Sequence, residues 1–304
     1  MRKLDPKISG GSLFAQEAKK LLLLRGGAFL LIALLVVAWK LQPPDREYDP
    51  LDIYYQYYQG KYAGPITEDT ITSLQTELEQ AAEPDRYSAL NQMIWNAENA
   101  PEGSWLVPTA PYEAVWSDNY GNYHRSTALI AMLFLVLILS PICSQERQSD
   151  MTVLLRSTSG GRKYLRKKKQ LLLLLTTGYI WLVMVCTEVI KTVQYWDSFT
   201  CFAAPMYSLP DFQYTGWSIP LGAALGAYYL AKLAVMVVIA EIVYFLSGQC
   251  TKNRDAILLS CGGLLIPAGL AAIGSGAGEW LSFLLPLGGS ELLYDFAQLF
   301  VMVE

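Results

Sequence analysis

The sequence predicts an all-α polytopic membrane protein with five transmembrane helices, or six if the C-terminal tail also crosses, and a small helical extracellular domain between helices one and two. Hydrophobic residues make up 53% of the 304 residues and charged residues only 16%, which is too apolar for one soluble domain of this length. Apolar runs that can cross a hydrocarbon core of about 30 Å recur along the chain. Backbone groups in lipid must bond within their own segment, so each run is predicted to be a helix. The predicted spans are 26–40, 127–143, 171–190, 221–247 and 256–272.

Charged residues divide sharply along the chain, and the division predicts which segments lie on each side of the membrane. Acidic residues gather in 45–118, and basic residues gather in the N-terminus and in 145–169. Basic flanks of spans stay in the cytoplasm. The N-terminus and the loop 144–170 are therefore predicted to be cytoplasmic, whereas 41–126 and the loop 191–220 lie outside. A basic inner loop of this kind favours contact with anionic lipid over contact with nucleic acid.

The N-terminal segment 1–25 is predicted to contain an amphipathic helix on the cytoplasmic face. Between Ser12 and Leu24, apolar residues lie on one side and Glu17, Lys19 and Lys20 on the other, as in interfacial helices. A basic flank without a separate helix is the alternative. The apolar run that follows is too long for a signal peptide and lacks a small-residue cleavage site.

The outer segment 41–126 has the pattern of a small helical domain. Thr67 precedes two acidic residues as a helix N-cap, and apolar residues then recur at helical spacing from Ile71 to Ala81. A second amphipathic stretch covers 87–95, and the Pro, Gly and Asn content of 101–123 predicts a loop. The tyrosines near 54–58 could form a platform for carbohydrate or peptide, although a small core and a headgroup belt explain them more simply.

Residues that carry enzyme chemistry are sparse in the sequence. His124 is the only histidine, neither an HExxH motif nor a Gly-x-Ser-x-Gly motif occurs, and the glycine-rich stretch at 274–278 lacks the Lys-Ser/Thr of a phosphate-binding loop. The five cysteines show no pairing pattern. The sequence therefore predicts no catalytic residues, no metal site, no cofactor and no enzyme. A membrane hydrolase would need polar residues that converge within the bilayer.

Two ionisable residues fall within the predicted fourth span, where charge is costly and often functional. Lys232 and Glu241 are nine positions apart, about 900° of helix rotation, so they face opposite sides. Glu241 is near enough to the inner surface to reach it. Lys232 is a candidate polar residue of a transport pathway, or its long side chain reaches the surface instead.

The loop before the third span resembles the loop between spans two and three of ABC-2 type transporter permeases. The resemblance lies in the sequence ERQSDMTVLLRSTSGGR, from Glu146 to Arg162. This sequence contains an amphipathic patch that begins at Met151 and ends before two glycines. The segment EAKK at 17–20 is similar to the N-terminal elbow helix of that family, and YQYYQG with the later GPITE is similar to outer domains of its Gram-positive members. Asp150 stands where many members have Gly, and the family has six spans.

The resemblance implies a permease subunit of an ATP-binding cassette exporter in the bacterial plasma membrane, with its N-terminus in the cytoplasm. A separate ATP-binding cassette subunit would hydrolyse ATP, and the permease would form a homodimer or a heterodimer with a second permease. The substrate class would be a peptide, a lipid or a drug-like molecule. The residues that would contact the partner through a coupling helix are Glu146, Met151, Leu154, Leu155 and Arg162. The alternative is a membrane-embedded sensor or binding module that uses the extracellular domain as its receptor.

The tail 279–304 is expected to form either a re-entrant hairpin or a weak sixth span. Pro286 and the acidic Asp295 interrupt it, and a central Asp costs about 2.5–3.5 kcal/mol on insertion scales. The hairpin is the favoured expectation, in which case the chain ends outside, before a sixth span.

Overall fold

The computed structural model describes residues 50–116, 130–141, 161–192, 200–213 and 217–266, together with Lys19, Val36 and Ser157. The described residues are mostly helical. The chain divides into two compact units: the first comprises 1–41, 125–187 and 232–287, and the second comprises 42–124, 188–231 and 288–304.

Helices α1 (Pro50–Lys61), α2 (Glu68–Glu79) and α3 (Pro84–Glu98) form a small bundle in the second unit. Thr67 caps α2, because its side-chain oxygen accepts a hydrogen bond from the backbone N–H of Thr70 at 3.3 Å, which confirms the N-cap prediction. Apolar residues of the three helices meet in one core. Its buried members are Tyr58, Leu74, Leu90, Met93, Ile94 and Leu106.

The segment after α3 is more ordered than the sequence predicts. Strands β1 (Gly64–Pro65) and β2 (Trp105–Leu106) pair antiparallel, and helix α4 covers Thr109–Trp116. The loop predicted for 101–123 is therefore wrong for Trp105–Leu106 and Thr109–Trp116, whereas 101–104 and 107–108 lie outside any helix or strand, as predicted. The physical reason is tertiary: the buried side chain of Tyr112 belongs to a second core formed with residues about a hundred positions away.

The outer loop predicted for 191–220 supplies that second core. It contains 3-10 turns at Met206–Ser208 and Pro210–Phe212, and its buried residues pack with α4. The Tyr112 hydroxyl donates a hydrogen bond to the carbonyl oxygen of Thr200 at 2.6 Å, and burial raises the pKa of Tyr112. The loop is thus an integral part of the second unit.

The first unit holds helices α5 (Ile130–Pro141), most of α6 (Gly161–Thr192) and most of α7 (Leu221–Ser247), and helix α8 (Asn253–Ser260). The division between the units falls within α7, just before Lys232. The buried core of the first unit is apolar and draws on α5, α6 and α7, with Leu264 from the turn after α8. Its members are Ala131, Met132, Leu135, Val136, Ile138, Leu139, Leu172, Leu173, Ile180, Met184, Met236, Ile239, Ala240, Val243 and Leu264.

In the part of the chain that the structure describes, two helices are long and apolar enough to cross a membrane: the part of α6 at Gly161–Cys186 and the whole of α7. Their most apolar windows have mean hydropathies of 1.6 and 2.1, yet only 39% and 33% of those windows are buried by the described protein. Large apolar side chains such as Leu174, Leu230 and Phe245 are 64–66% exposed. A core helix of a soluble protein would bury most of its surface, so this pattern favours contact with lipid.

The other predicted spans are described only in part. Span one lies outside the described residues except for Val36, and so does the tail 279–304. Span two corresponds to α5, a shorter apolar helix, and span five is described as far as Ile266. The number of five spans stays a prediction.

Helix α6 begins at Gly161, ten residues before the predicted start of span three at 171. Residues 161–170 are therefore helix, where the sequence predicted part of a cytoplasmic loop. Lys and Arg are good helix formers, so a basic segment readily continues the helix of an adjoining span. The basic residues form the first turns of α6 itself.

A hydroxyl cluster joins three elements inside the first unit. Ser260 lies 3.2 Å from Ser140 and 3.2 Å from Ser247, measured between side-chain oxygens, and all three side chains are fully buried. Directly after Ser260, a π-helical turn covers Cys261–Leu265. Within this turn a Cβ on Gly263 would lie 3.1 Å from the Leu246 side chain, so the absence of a side chain permits the close packing.

Candidate functional site

Most of the predicted contact residues for a partner subunit lie outside the described residues. These are Glu146, Met151, Leu154 and Leu155. Arg162 is described: it is the second residue of α6, and its side chain is exposed. The coupling helix stays a prediction, and Arg162 is accessible to a partner at the point where α6 begins.

An ion pair links the basic start of α6 to α7. Lys169 Nζ lies 2.7 Å from a carboxylate oxygen of Glu241 and 4.6 Å from the ring centre of Tyr244. The two charged side chains are 33% and 48% exposed, so the pair lies at a surface. The sequence suggested that Glu241 reaches the inner surface but did not reveal its partner, because the partner is on another helix.

Lys232 is buried, with 3% of its surface exposed. The sequence left two alternatives open for this residue, a polar position in a pathway and a side chain that reaches the surface. A position covered by protein is what the first alternative requires, since charged residues within spans face the interior of a bundle. The pathway role stays a prediction.

A cluster of charged and phenolic groups joins the three helices of the second unit. One carboxylate oxygen of Glu77 lies 2.5 Å from Lys61 Nζ, and the other accepts a hydrogen bond from Arg86 at 2.7 Å. Arg86 also donates to the Tyr58 hydroxyl at 2.7 Å. The hydrogen bond from Lys61 is the largest cause that lowers the pKa of Glu77, and it prevails over the raising effect of burial. The cluster stabilises the fold.

A polar cleft of about 590 Å³ lies within the second unit. We call it the amide cleft, because amide side chains from α1, α3 and the segment after Pro210 line it. Hydroxyl groups, one carboxylate and one tryptophan also line it. The polar and aromatic lining residues are Asp52, Tyr55, Gln56, Gln59, Gln92, Asn96, Ser104, Trp105, Thr109, Tyr207, Ser208 and Gln213.

Hydrogen bonds hold several side chains of the amide cleft in place. Gln59 Oε1 accepts from the backbone N–H of Thr109 at 3.3 Å and lies 3.4 Å from the Thr109 hydroxyl, which also donates to it. Asn96 Nδ2 donates to the Tyr55 hydroxyl at 2.9 Å. Of the tyrosines at 54–58 that suggested a platform, only Tyr55 lines the cleft.

A second groove, of about 410 Å³, runs along the outer side of α3. Its walls include Tyr87 and Trp95, whose side chains are 51% and 62% exposed. Gln92 lines both this groove and the amide cleft. Gln92 is thus the residue that the two cavities have in common. The sequence did not indicate the amide cleft, because the cleft combines segments over a hundred positions apart.

Comparison with models of known protein families, with curated proteins and with solved structures found no match to this chain. Within the described ranges, the His, Cys, Asp and Glu side chains form no group of three or more that could hold a metal ion.

Proposed function

We propose that this protein is the permease subunit of an ABC-2 type ATP-binding cassette transporter in the bacterial plasma membrane. It would move a peptide, a lipid or a drug-like substrate, and a separate subunit would hydrolyse ATP. The observation that carries the proposal is the sequence ERQSDMTVLLRSTSGGR directly at the start of α6, a helix long and apolar enough to cross a membrane.

The start of α6 supports the proposal by its charge. Basic residues occupy six of the positions from Arg162 to Lys169, and several of their side chains are exposed. Cations at the end of a span favour the cytoplasmic face and attract anionic headgroups. The preceding segment would then lie at the cytoplasmic surface, where an ATP-binding subunit can reach it. The N-terminus would be cytoplasmic as well.

The buried Lys232 supports a transport role by its position in α7. Its burial and the energetic cost of charge in a span suit a residue that lines a polar pathway. In an ABC-2 transporter two permease subunits enclose that pathway, so the protein would act as a homodimer or as a heterodimer with a second permease.

The test is a substitution in the apolar face of the proposed coupling helix. We expect Leu154→Asp to abolish co-purification of an ATPase subunit and to leave membrane insertion intact, because loss of a buried interface Leu alone costs about 2 kcal/mol or more. Thr152→Asp, which adds the same charge two residues away on the polar side of the helix, is the matched control. Retention of the ATPase by the Leu154 variant, or absence of any ATPase from the unaltered protein, would contradict the proposal.

The second candidate is a membrane-embedded binding module that uses the second unit as a receptor. The amide cleft favours it, because a preformed concave site of several hundred Å³ is typical of ligand-binding proteins. The two candidates differ in their partners: a receptor of this kind purifies from native membranes without an ATP-binding subunit.

A further inference from the structure

We propose that the amide cleft is a binding site for a neutral glycan, taken either as a free oligosaccharide or as the headgroup of a glycolipid. The proposal concerns the second unit alone. It holds whether or not the protein assembles with an ATP-binding subunit.

The chemistry of the lining selects a neutral ligand that is rich in hydroxyl groups. Five amide side chains face the cleft, and each can donate and accept hydrogen bonds, as each sugar hydroxyl can. They are Gln56, Gln59, Gln92, Asn96 and Gln213. Asp52 is the one carboxylate among the lining residues, and the described lining contains no Lys, Arg or His. An anionic ligand would enter without a countercharge, which is costly on burial.

Gln59 supplies a hydrogen-bond donor that has no partner among the residues that the structure describes. The residue is only 3% exposed, and its Oε1 is occupied by Thr109. Its Nε2 has no hydrogen-bond partner among the described residues. The nitrogen is not fully enclosed by protein. Among the described residues, Thr176 Oγ1 is the one fully buried side-chain N or O atom that lacks a hydrogen-bond partner, so the unpartnered Gln59 Nε2 must contact open space. A ligand oxygen in the cleft would satisfy the Gln59 donor.

The wall that carries Trp105 is held rigidly. The Ser104 hydroxyl donates to the Pro101 carbonyl at 2.6 Å, and the Trp105 backbone N–H donates to the Ser208 hydroxyl at 3.0 Å. Gly103 adopts a φ of +82°, and a Cβ there would lie 3.1 Å from the Tyr207 hydroxyl. A fixed, half-buried indole offers an apolar surface to the C–H faces of a sugar ring at little entropic cost.

The groove on α3 extends the site and sets the expected length of the ligand. Tyr87 and Trp95 are eight residues apart on one helix, which places them about 12 Å from each other along its axis. Gln92, which lines both cavities, connects them to the cleft. An oligosaccharide of more than one sugar unit can therefore contact the amides and the exposed aromatic rings together.

A peptide suits this surface less well. Extended peptides commonly bind by adding a strand to an open sheet edge. In the described part of the second unit, the sheet consists of two strands of two residues each.

The experiment uses the full-length protein in nanodiscs and saturation-transfer NMR with three probes: chitotriose, cellotriose and mannotriose. At least one trisaccharide should show transfer. Its affinity should fall about fivefold in Gln56→Ala and about 25-fold in Gln56→Ala/Gln92→Ala, if each lost hydrogen bond contributes about 1 kcal/mol. Gln75→Ala is the matched control, since this exposed glutamine of α2 lines neither cavity. Thermal unfolding of each variant checks that its fold is kept.

A second arm separates the two sources of the glycan. Nanodiscs that contain diglucosyl-diacylglycerol should reduce transfer to the trisaccharide if the ligand is a lipid headgroup, and should leave it unchanged if the ligand is free. Either result supports the site. Absence of transfer from all three sugars with no binding of the glycolipid would overturn the proposal, as would equal affinities in the cleft variants and the control. Binding of the tripeptide Ala-Ser-Ala to the cleft, when none of the sugars binds, would also overturn the proposal and would assign the cleft to a peptide ligand.

Discussion

Replacement of Glu77 by Gln tests how the three helices of the second unit are held together. The Glu77 carboxylate accepts charged hydrogen bonds from Lys61 and Arg86, and an amide cannot accept both with equal strength. Charged hydrogen bonds contribute about 1.5–3 kcal/mol when buried, and exposed ion pairs about 0.2–1 kcal/mol. The Lys61 and Arg86 side chains are 39% and 28% exposed, so water screens both bonds, and the Gln oxygen can still accept one of them. We expect the variant to lose about 1 kcal/mol in total.

Hydrogen exchange with mass spectrometry measures this loss locally in the full-length protein. A loss of about 1 kcal/mol corresponds to exchange about fivefold faster in the peptides of α1 and α2 at neutral pH. Glu79→Gln is the control: it makes the same chemical change two residues away on α2, at an exposed side chain. If both variants exchange at the same rate as the unaltered protein, the cluster does not stabilise the unit and the reasoning is refuted.

The same carboxylate predicts how stability depends on pH. Because the pKa of Glu77 is lowered in the folded protein, its contribution is present above the unfolded pKa of about 4.3 and is lost as the pH falls through the folded pKa. The difference in exchange between the unaltered protein and Glu77→Gln, corrected for intrinsic rates, should therefore shrink on acidification below about pH 4. A difference that stays constant would show that charge is not its cause.

Three further predictions concern sidedness, the core and the pathway. In a background without native cysteines, a cysteine at Glu79 should react with an impermeant maleimide on intact cells and one at Arg162 only after the membrane is opened; the reverse pattern would contradict the predicted topology. Leu90→Ala should destabilise the second unit by about 2–5 kcal/mol, measured by exchange in α3, because the side chain is fully buried; a loss under about 1 kcal/mol would contradict that core. Lys232→Leu should lower ATP hydrolysis by the assembled complex, whereas the exposed-site control Lys252→Leu should leave it unchanged, and equal activities would remove Lys232 from the pathway.

Local signals in the sequence predicted some features of the fold correctly, and the reason is physical. The cap at Thr67 depends on atoms within four residues, so the sequence pattern was sufficient. The apolar character of α7 likewise follows from composition over a continuous segment. Helix α4 was missed, because the partners that bury Tyr112 come from the region near Met206.

The amide cleft could not be predicted for a similar reason. Gln59 and Gln213 are over 150 positions apart, and neither carries a motif. The sequence drew attention to the tyrosines at 54–58, although Tyr58 contributes to the core and Tyr57 is exposed. Sites built from amides at long separations become visible only when the chain is folded.

The π-helical turn at Cys261–Leu265 has a consequence for changes in chain length. A π turn holds one more residue than an α turn, so removal of one residue there would restore α geometry without breaking the helix. The wide turn absorbs the extra residue, so Ile266, which follows it, would face nearly the same direction after the deletion. Ser260 precedes the turn and would keep its contacts with Ser140 and Ser247. A single-codon deletion at this position would thus leave both the helix and the buried hydroxyl cluster in place.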